Sequence, residues 1–436
     1  MSTTPIFENS EYQAHSAQLK LTEDIYNGTD SAVAYLRRFP KEETSVYAER
    51  QTDGSIDNYV KRTAETTRNI IFRKELDLEG LTNSEVQRWA EKIDFTNNLN
   101  EFAKITLLNR IRDGYTFILV DSIKYDSEEI TTKLQQEEKG IRPYFVNILR
   151  KNVINWTINS RGEYEVFTIK EIYEEKTNPY RTETKEQYRV FHIDGLIEIW
   201  RDGALYDLFE TGAKTITIVK IGNDLIPPLY DQAKINIQHM NRHSECNNYV
   251  RVGASPFLAV FGSLDGDSPK TLGINSGLKF ADKDSSDVKW IEMTGSNYQI
   301  IQEWMSVLVG QMDNISIEFA TELKSATATE VEKASMSSES KLSNYSSELE
   351  DGLNLALEYL GLYKDSLGLN TVEVNKDFSA NILTIEQFNM LMQLRTNGEI
   401  SNERLMKAIE RGEVLPLLTE KERAKEDALR RNEGTI

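Results

Sequence analysis

Ile226–Tyr249 reads IPPLYDQAKINIQHMNRHSECNNY, and this stretch opens the part of the chain that decides the fold. Proline is tolerated in the first turn of a helix, so Pro227 and Pro228 predict a helix that runs to about Tyr249. Its apolar residues form one narrow stripe, and the helix turns polar after Met240. A helix that is polar nearly all round either bridges solvent or packs in an assembly. The stripe consists of Leu229, Ala233, Ile237 and Met240.

Two more long helices follow, after a small β-forming insertion at 255–295. The second helix is predicted over Asn297–Ala320, and a polar interruption separates it from a third helix over Ala328–Leu362. The two helices that bracket the insertion would pair antiparallel and present it at their tip. The second stripe consists of Ile300, Ile301, Trp304, Leu308, Met312, Ile315 and Phe319. The inward positions of the third helix are Val331, Ala334, Ser338, Leu342, Tyr345, Leu349, Leu353, Ala356 and Leu360.

The flanking regions predict helices first and short strands later. Residues 1–110 are mostly helical, with one helix over Glu23–Phe39 and an amphipathic one over Asn97–Arg112 that Gly114 ends before a buried strand. Between 143 and 225 the chain favours short strands joined by the Asp-Gly turns of His192–Gly195 and Arg201–Gly203. The expected fold class is therefore α+β.

Charge excludes several classes of protein. The 436 residues include 70 acidic and 51 basic side chains, which gives a formal charge of -19. A protein that grips DNA over its surface should be basic, so this acidic charge argues against such a protein.

Other classes are excluded by sequence patterns. No apolar run approaches the roughly 20 residues of a membrane span, and the first ten residues do not resemble a secretory signal. A single cysteine, Cys246, excludes an intrachain disulfide, so we expect a reducing cytoplasm or an assembly built there.

Two metal sites are conceivable, and we favour a simpler interpretation of each. His239, His243 and Cys246 share one helix face and could bind zinc with a fourth ligand from elsewhere. No glutamate follows the first histidine as it does in a metalloprotease. We therefore prefer the interpretation that these are three polar side chains on a semi-polar helix and bind no metal. The second candidate is a calcium loop beginning at Asp282, Asp284 and Asp287. Met293 replaces its glutamate ligand, so a solvated acidic loop is preferred.

Enzyme chemistry has no positive support in the sequence. Phosphate-binding glycine loops and nucleophile motifs are missing, and the carboxylates are too numerous for any pair to be singled out. We therefore expect no catalytic residue, no metal and no cofactor.

Six short segments occur in order along the chain. They are GYTFILVD at 114–121 after an amphipathic helix from Phe102, RPYF at 142–145 with VINW at 153–156, IPPL at 226–229 with Asp231 and AKIN at 233–236, KWIEMTG at 289–295, TATE at 327–330 and NKDF at 375–378. Together they resemble one compact family of tailed-bacteriophage portal proteins, the head-to-tail connectors. The resemblance covers about residues 35–412.

The resemblance implies a portal architecture. It places a wing at 1–225, stem helices at 226–254 and 296–320, a clip at 255–295, a tunnel loop at 318–327, a long wing or spine helix at 328–364, and a crown with the C-terminal tail at 365–436. Such proteins form a ring, typically dodecameric, at one capsid vertex of the virion after assembly in the host cytoplasm. Double-stranded DNA passes through without sequence specificity during packaging and ejection. The implied partners are the large subunit of terminase, which hydrolyses the ATP, the major capsid and scaffolding proteins, and neck, adaptor or tail proteins, with no membrane.

The same resemblance singles out two groups of residues. A loop that approaches DNA needs a few cations, and Lys324 is the first candidate and Lys333 the second. An ordinary solvated lysine is an equal alternative for Lys324. The DNA-facing group is completed by Glu318, Glu322, Ser325 and Thr327. The clip group, Asp265, Asp267, Asp282, Asp284 and Asp287, would meet basic segments of partners, or would serve solubility alone.

An acidic channel fits the charge, because weak phosphate contacts let DNA slide. The leading hypothesis is thus a non-enzymatic portal ring. Another virion structural protein, such as a neck or baseplate subunit, would use similar long helices. A metal-dependent hydrolase built on the acidic loops is the third hypothesis.

Overall fold

The computed structural model describes the residues 6–123, 140–178, 180–253, 257–262, 287–291, 296–317, 328–364, 367–376, 378, 385–399 and 405. The chain divides into two units, 1–376 and 377–436. Each unit is described by itself. All the elements below belong to the first unit except the helix Ile385–Thr396, which belongs to the second.

Asparagine side chains start several helices of the N-terminal region. Oδ1 of Asn58 accepts a hydrogen bond from the Lys61 N–H at 2.8 Å, and Oδ1 of Asn98 accepts from the Glu101 N–H at 2.8 Å. Such caps satisfy N–H groups that have no partner within the helix. The helices are α1 (Ser10–Asn27), α2 (Thr29–Ala32), a 3-10 turn (Val33–Tyr35), α3 (Thr44–Thr52), α4 (Tyr59–Ile71), α5 (Ser84–Ala90) and α6 (Leu99–Asp113).

The helix predicted over Glu23–Phe39 is wrong as a continuous element. The helix α1 starts earlier and ends at Asn27, because Gly28 has a φ of 103° that interrupts a right-handed helix. The 3-10 turn then ends before Leu36, which is extended. By contrast, Gly114 ends α6 as predicted, with a φ of 89°.

Two antiparallel sheets follow the helices. One has the order β2-β1-β8 and the other the order β3-β4-β5-β6-β7. Separate helices and antiparallel sheets confirm the α+β class. The strands are β1 (Thr116–Ser122), β2 (Pro143–Ile148), β3 (Val153–Ile158), β4 (Tyr164–Asn178), β5 (Arg181–His192), β6 (Leu196–Arg201), β7 (Ala204–Glu210) and β8 (Ile218–Ile221).

Both Asp-Gly turns are confirmed as links between neighbouring strands. Gly195 lies between β5 and β6 with a φ of 85°. Asp202 and Gly203 join β6 to β7 with φ values of 49° and 76°, as a two-residue hairpin turn requires. The strands β4 and β5 continue beyond their apolar residues. In these polar extensions, ion pairs such as Lys170–Glu186 at 2.7 Å link one strand to the other.

The remaining elements of the first unit include three long helices. These elements are α7 (Tyr230–Gly253), β9 (Phe257–Phe261), β10 (Asp287–Ile291), α8 (Ser296–Ile317) and α9 (Ala328–Tyr363). The helix α9 packs on β1 and β8, and an added Cβ at Gly352 would lie 2.5 Å from Ile221 Cγ1. The predicted inward positions from Leu342 to Leu360 are buried. Val331, Ala334 and Ser338 lie outside the described side chains.

A buried arginine links α9 to the rest of the first unit. Arg110 on α6 is 1% exposed. Its Nε donates to Glu348 Oε2 on α9 at 2.7 Å, its Nη1 lies 2.9 Å from Asp224 Oδ2, and its guanidinium stacks on Tyr345. Buried charges require such partners, so this group fixes where the long helix crosses the fold.

Candidate functional site: the α7–α8 hairpin

The helices α7 and α8 form an antiparallel hairpin. Nε2 of Gln232 near the start of α7 donates to the Met312 carbonyl near the end of α8 at 3.1 Å. At the other end, Cys246 shares a side-chain hydrogen bond with Tyr298. At about 1.5 Å per residue the helices are roughly 33–36 Å long. The predicted pairing of the two helices is confirmed.

A two-stranded sheet connects the helices at their tip. In β9 and β10, Phe257 pairs with Ile291 and Phe261 pairs with Asp287, so the chain leaves and re-enters the hairpin side by side. The predicted strands of the insertion are confirmed. The roles of stem and clip for these elements stay predictions.

Part of the polar surface of α7 lies inside the chain, which corrects the expectation that all of it faces solvent or another subunit. Leu229, Ala233 and Met240 are buried as predicted. The buried polar side chains Gln232, Asn236, His239 and Asn241 extend the covered surface around the helix. Spacing alone would have found Asn236, which lies three residues after Ala233 and four before Met240.

These buried amides bind the hairpin to the N-terminal helices. Oδ1 of Asn236 accepts from the Tyr59 N–H at 3.1 Å, and its Nδ2 donates to the Asp57 carbonyl at 2.9 Å. Nε2 of Gln232 donates to Thr63 Oγ1 at 2.9 Å. Each amide makes the hydrogen bond that its partner group made with water before burial.

Asn241 makes the corresponding contact near the middle of α7. Its Oδ1 accepts from the Arg37 N–H at 2.7 Å, while its Nδ2 donates to the Ile237 carbonyl at 2.8 Å and to the Tyr35 carbonyl at 3.3 Å. The contact holds the segment after the 3-10 turn against α7. Asn241, which the sequence suggested was solvated, therefore holds two distant segments of the chain together.

The apolar stripe predicted for α8 is divided between two sides of the helix. Leu308 and Met312 are 1% and 0% exposed and face α7, whereas Ile300 and Trp304 are 64% and 48% exposed. The predicted apolar stripe is therefore covered only in part, because α7 packs on the side of Leu308 and Met312 and leaves Ile300 and Trp304 exposed. Phe319 lies outside the described residues.

The proposed zinc ligands have other surroundings. His239 is buried and meets the Tyr59 ring edge-on at 6.1 Å, and burial lowers its pKa. Burial raises the pKa of the Cys246 thiol. Among the described residues, no three His, Cys, Asp or Glu side chains are grouped so that they could hold a metal ion.

Most residues named for DNA or partner contact fall outside the described part of the chain. This applies to Glu318, Glu322, Lys324, Ser325, Thr327, Asp265, Asp267, Asp282 and Asp284. Lys333 lies in α9, but its side chain is outside the description. Asp287 opens β10 and pairs with Lys289 at 3.0 Å, which lowers the pKa of its carboxyl. Within the described ranges, no helix is long and apolar enough to cross a membrane.

Comparison with known proteins gives two kinds of similarity. A family described as a domain of unknown function (DUF4055) matches residues 228–363, from just before α7 to the end of α9 and less than half of the chain. No curated protein matches.

Solved structures of gene transfer agent (GTA) particles are also similar to this chain. The virion of the native particle contains a chain with 12% identity and a TM-score of 0.45, covering 90% of this chain and 100% of that one. The neck of the empty particle, computed with C6 symmetry, gives 11% identity and a TM-score of 0.44, covering 87% and 97%. Similarity at this level assigns no function, so function is inferred from this chain's own residues.

Proposed function

We propose that this chain is a virion structural protein, and specifically the portal subunit of a tailed-phage-type particle. Copies would form a ring at one capsid vertex, through which DNA is packaged and ejected. The observation that carries the proposal is the α7–α8 hairpin with a strand pair at its tip, followed by the 36-residue helix α9. The order of portal-like sequence segments supports the same assignment.

The hairpin suits the wall of a channel. It is long, and the buried amides Asn236 and Asn241 tie the first half of α7 to the N-terminal region. A wall that carries load must not swing relative to the rest of its subunit. Contacts that are both buried and hydrogen-bonded restrict such motion.

The charge suits passage of DNA without retention. A net charge of -19 opposes close, lasting contact with phosphates. A few cations at a constriction are then enough to touch the backbone. We assign this role first to Lys324, in the proposed tunnel loop at 318–327, and second to Lys333, near the start of α9. The acidic clip residues, including Asp287, are proposed to face basic segments of terminase or of neck, adaptor and tail proteins.

The proposed protein is not an enzyme and needs no cofactor. Terminase would supply ATP hydrolysis from outside the ring. The capsid and scaffolding proteins would meet the ring during assembly in the host cytoplasm, and the finished protein would reside in the virion.

Negative-stain microscopy of the purified full chain tests the proposal. Closed rings with a central hole are expected. Stacked discs or open fibres would favour a different virion subunit, such as a neck or baseplate protein. A compact monomer over the accessible range of concentration would contradict the proposal.

A charge reversal tests the DNA-facing role. Lys324→Glu should leave ring assembly intact and impair DNA packaging or retention, because a carboxylate repels the phosphate that the ammonium would attract. Lys92→Glu, at an exposed site on the N-terminal part, makes the same charge change as a control. Equal DNA content in particles carrying either variant would refute the role of Lys324.

A further inference from the structure

The helix α8 presents an apolar surface that stays exposed among the described residues of its own unit. Ile300, Trp304 and Val307 are 64%, 48% and 46% exposed and are spaced by four and three residues, so they lie on one side of the helix. We call these three residues the outer stripe. Leu308 and Met312 fill the side that faces α7. A contiguous exposed group that includes a tryptophan marks an interaction surface.

The exposed side of α7 has a different character. Over the first half of the helix the exposed residues Asp231, Lys234, Gln238 and Arg242 are polar, and the exposed apolar residue Val250 lies nearer the tip. The outer stripe therefore has no apolar counterpart at the corresponding position of α7. A self-complementary contact needs the same patch on both copies, whereas contact between two different patches is head-to-tail and can close into a ring.

Charge points to α7 of a second copy as the occupant. The helix α8 carries two acidic residues, Glu303 and Asp313, and no lysine or arginine. Near its base the exposed side of α7 carries Asp231 and Lys234, whose charges offset each other, and farther along it offers Arg242. Arg242 also pairs with Glu245 within its own helix at 2.5 Å, and its side chain stays 47% exposed. Opposite charges on the two surfaces favour this pairing over contact between two copies of α8.

The heights of these charges agree along the hairpin. The Gln232–Met312 hydrogen bond sets the two antiparallel helices level at their base. Arg242 lies ten residues beyond Gln232 and Glu303 lies nine residues before Met312, and both helices rise by about 1.5 Å per residue. Rotation about a ring axis parallel to the helices preserves height, so Glu303 lies level with Arg242 of the next copy.

We infer that the outer stripe of α8 packs against the exposed side of α7 in a second copy of this chain. Glu303 then pairs with Arg242 across the contact. The inference rests on the proposed ring, for which it supplies the lateral interface.

Two surface variants test the stripe. Trp304→Ser and Leu208→Ser each remove one large apolar side chain, and these side chains are 48% and 50% exposed, on α8 and β7. In mass photometry of the full chain, Trp304→Ser should weaken self-association at least about tenfold, as loss of a central aromatic contact does. Leu208→Ser should assemble like the wild type. Equal assembly of the two variants would overturn the stripe, and circular dichroism checks that both fold.

Exchanging the charges of Glu303 and Arg242 tests whether α7 of a second copy covers the outer stripe. Glu303→Arg and Arg242→Glu should each reduce assembly, and the double variant should restore it because the pair is re-formed with reversed signs. A double variant no better than either single one would overturn the assignment to α7. Rings that persist in Trp304→Ser would leave the proposed function standing and refute the inference. The reverse outcome is a wild-type protein that forms only a dimer, which Trp304→Ser dissociates. It would refute the ring and support the contact through the outer stripe.

Discussion

Replacing Asn241 by alanine should loosen the attachment of the N-terminal helices to α7. The Asn241 side chain is 8% exposed and its Oδ1 accepts from the Arg37 N–H at 2.7 Å. Its Nδ2 also donates to the Tyr35 carbonyl at 3.3 Å. Alanine removes both contacts, so the backbone near Arg37 loses its tie to the helix.

The size of the effect follows from the two contacts. A buried N–H left without a partner costs about 1–3 kcal/mol, and the longer second bond contributes at most about 1 kcal/mol. Alanine is a better helix former than asparagine by roughly 0.5 kcal/mol, which offsets part of the loss. The expected net cost is therefore about 2 kcal/mol, equivalent to roughly a 30-fold change in an equilibrium constant.

Asn247→Ala is the matched control. Asn247 lies on the same helix and is exposed, so the helix-propensity gain is shared and cancels in the comparison. Hydrogen exchange measured by mass spectrometry should show about 30-fold faster exchange around Arg37 in Asn241→Ala, if local opening governs that amide. Asn247→Ala should leave this segment unchanged. Identical exchange in the two variants would refute the structural role of Asn241.

Two further predictions concern glycine and histidine. Gly222→Ala should destabilise the fold by at least about 3 kcal/mol, because Gly222 has a φ of 83° and the new Cβ would lie 1.9 Å from Arg110 Nε, displacing a buried ion pair. Gly310→Ala, within α8 and with no atom within 4 Å, should instead stabilise by about 0.5–1 kcal/mol in denaturant titrations. Burial holds the pKa of His239 in the folded state below the ordinary histidine value of 6.5, so the unfolded chain takes up this proton first and acid favours unfolding. Stability should therefore decline as the pH falls from 6.5 toward the folded-state pKa, and His239→Gln should flatten that part of the pH profile. An unchanged slope would contradict the prediction.

Local signals in the sequence predicted those elements whose cause is local. Gly114 ends α6 because glycine adopts its positive φ without a steric cost. The Asp-Gly turn at 202–203 joins β6 to β7 for the same reason. The inward residues of α9 recur every three or four positions over about eight turns, which is enough to predict the helix and the face that is buried from Leu342 to Leu360.

Local signals failed where a distant segment determines what a side chain contacts. The polar half of α7 gave no hint that Asn241 meets Arg37, which is 204 residues away. The apolar residues of α8 looked like one stripe until packing on α7 separated Met312 from Trp304.

The sequence by itself determined the order of elements, the α+β class and the long helical hairpin with its insertion, because periodicity and turn chemistry act between near neighbours. Only the tertiary structure decided which faces are covered. Burial of Asn236 and Asn241 depends on N-terminal helices brought in from far along the chain, and exposure of the outer stripe depends on their absence from that side of α8. Ile300 and Trp304 of the outer stripe belong to the apolar stripe that the sequence predicted, but only the structure shows that they are exposed.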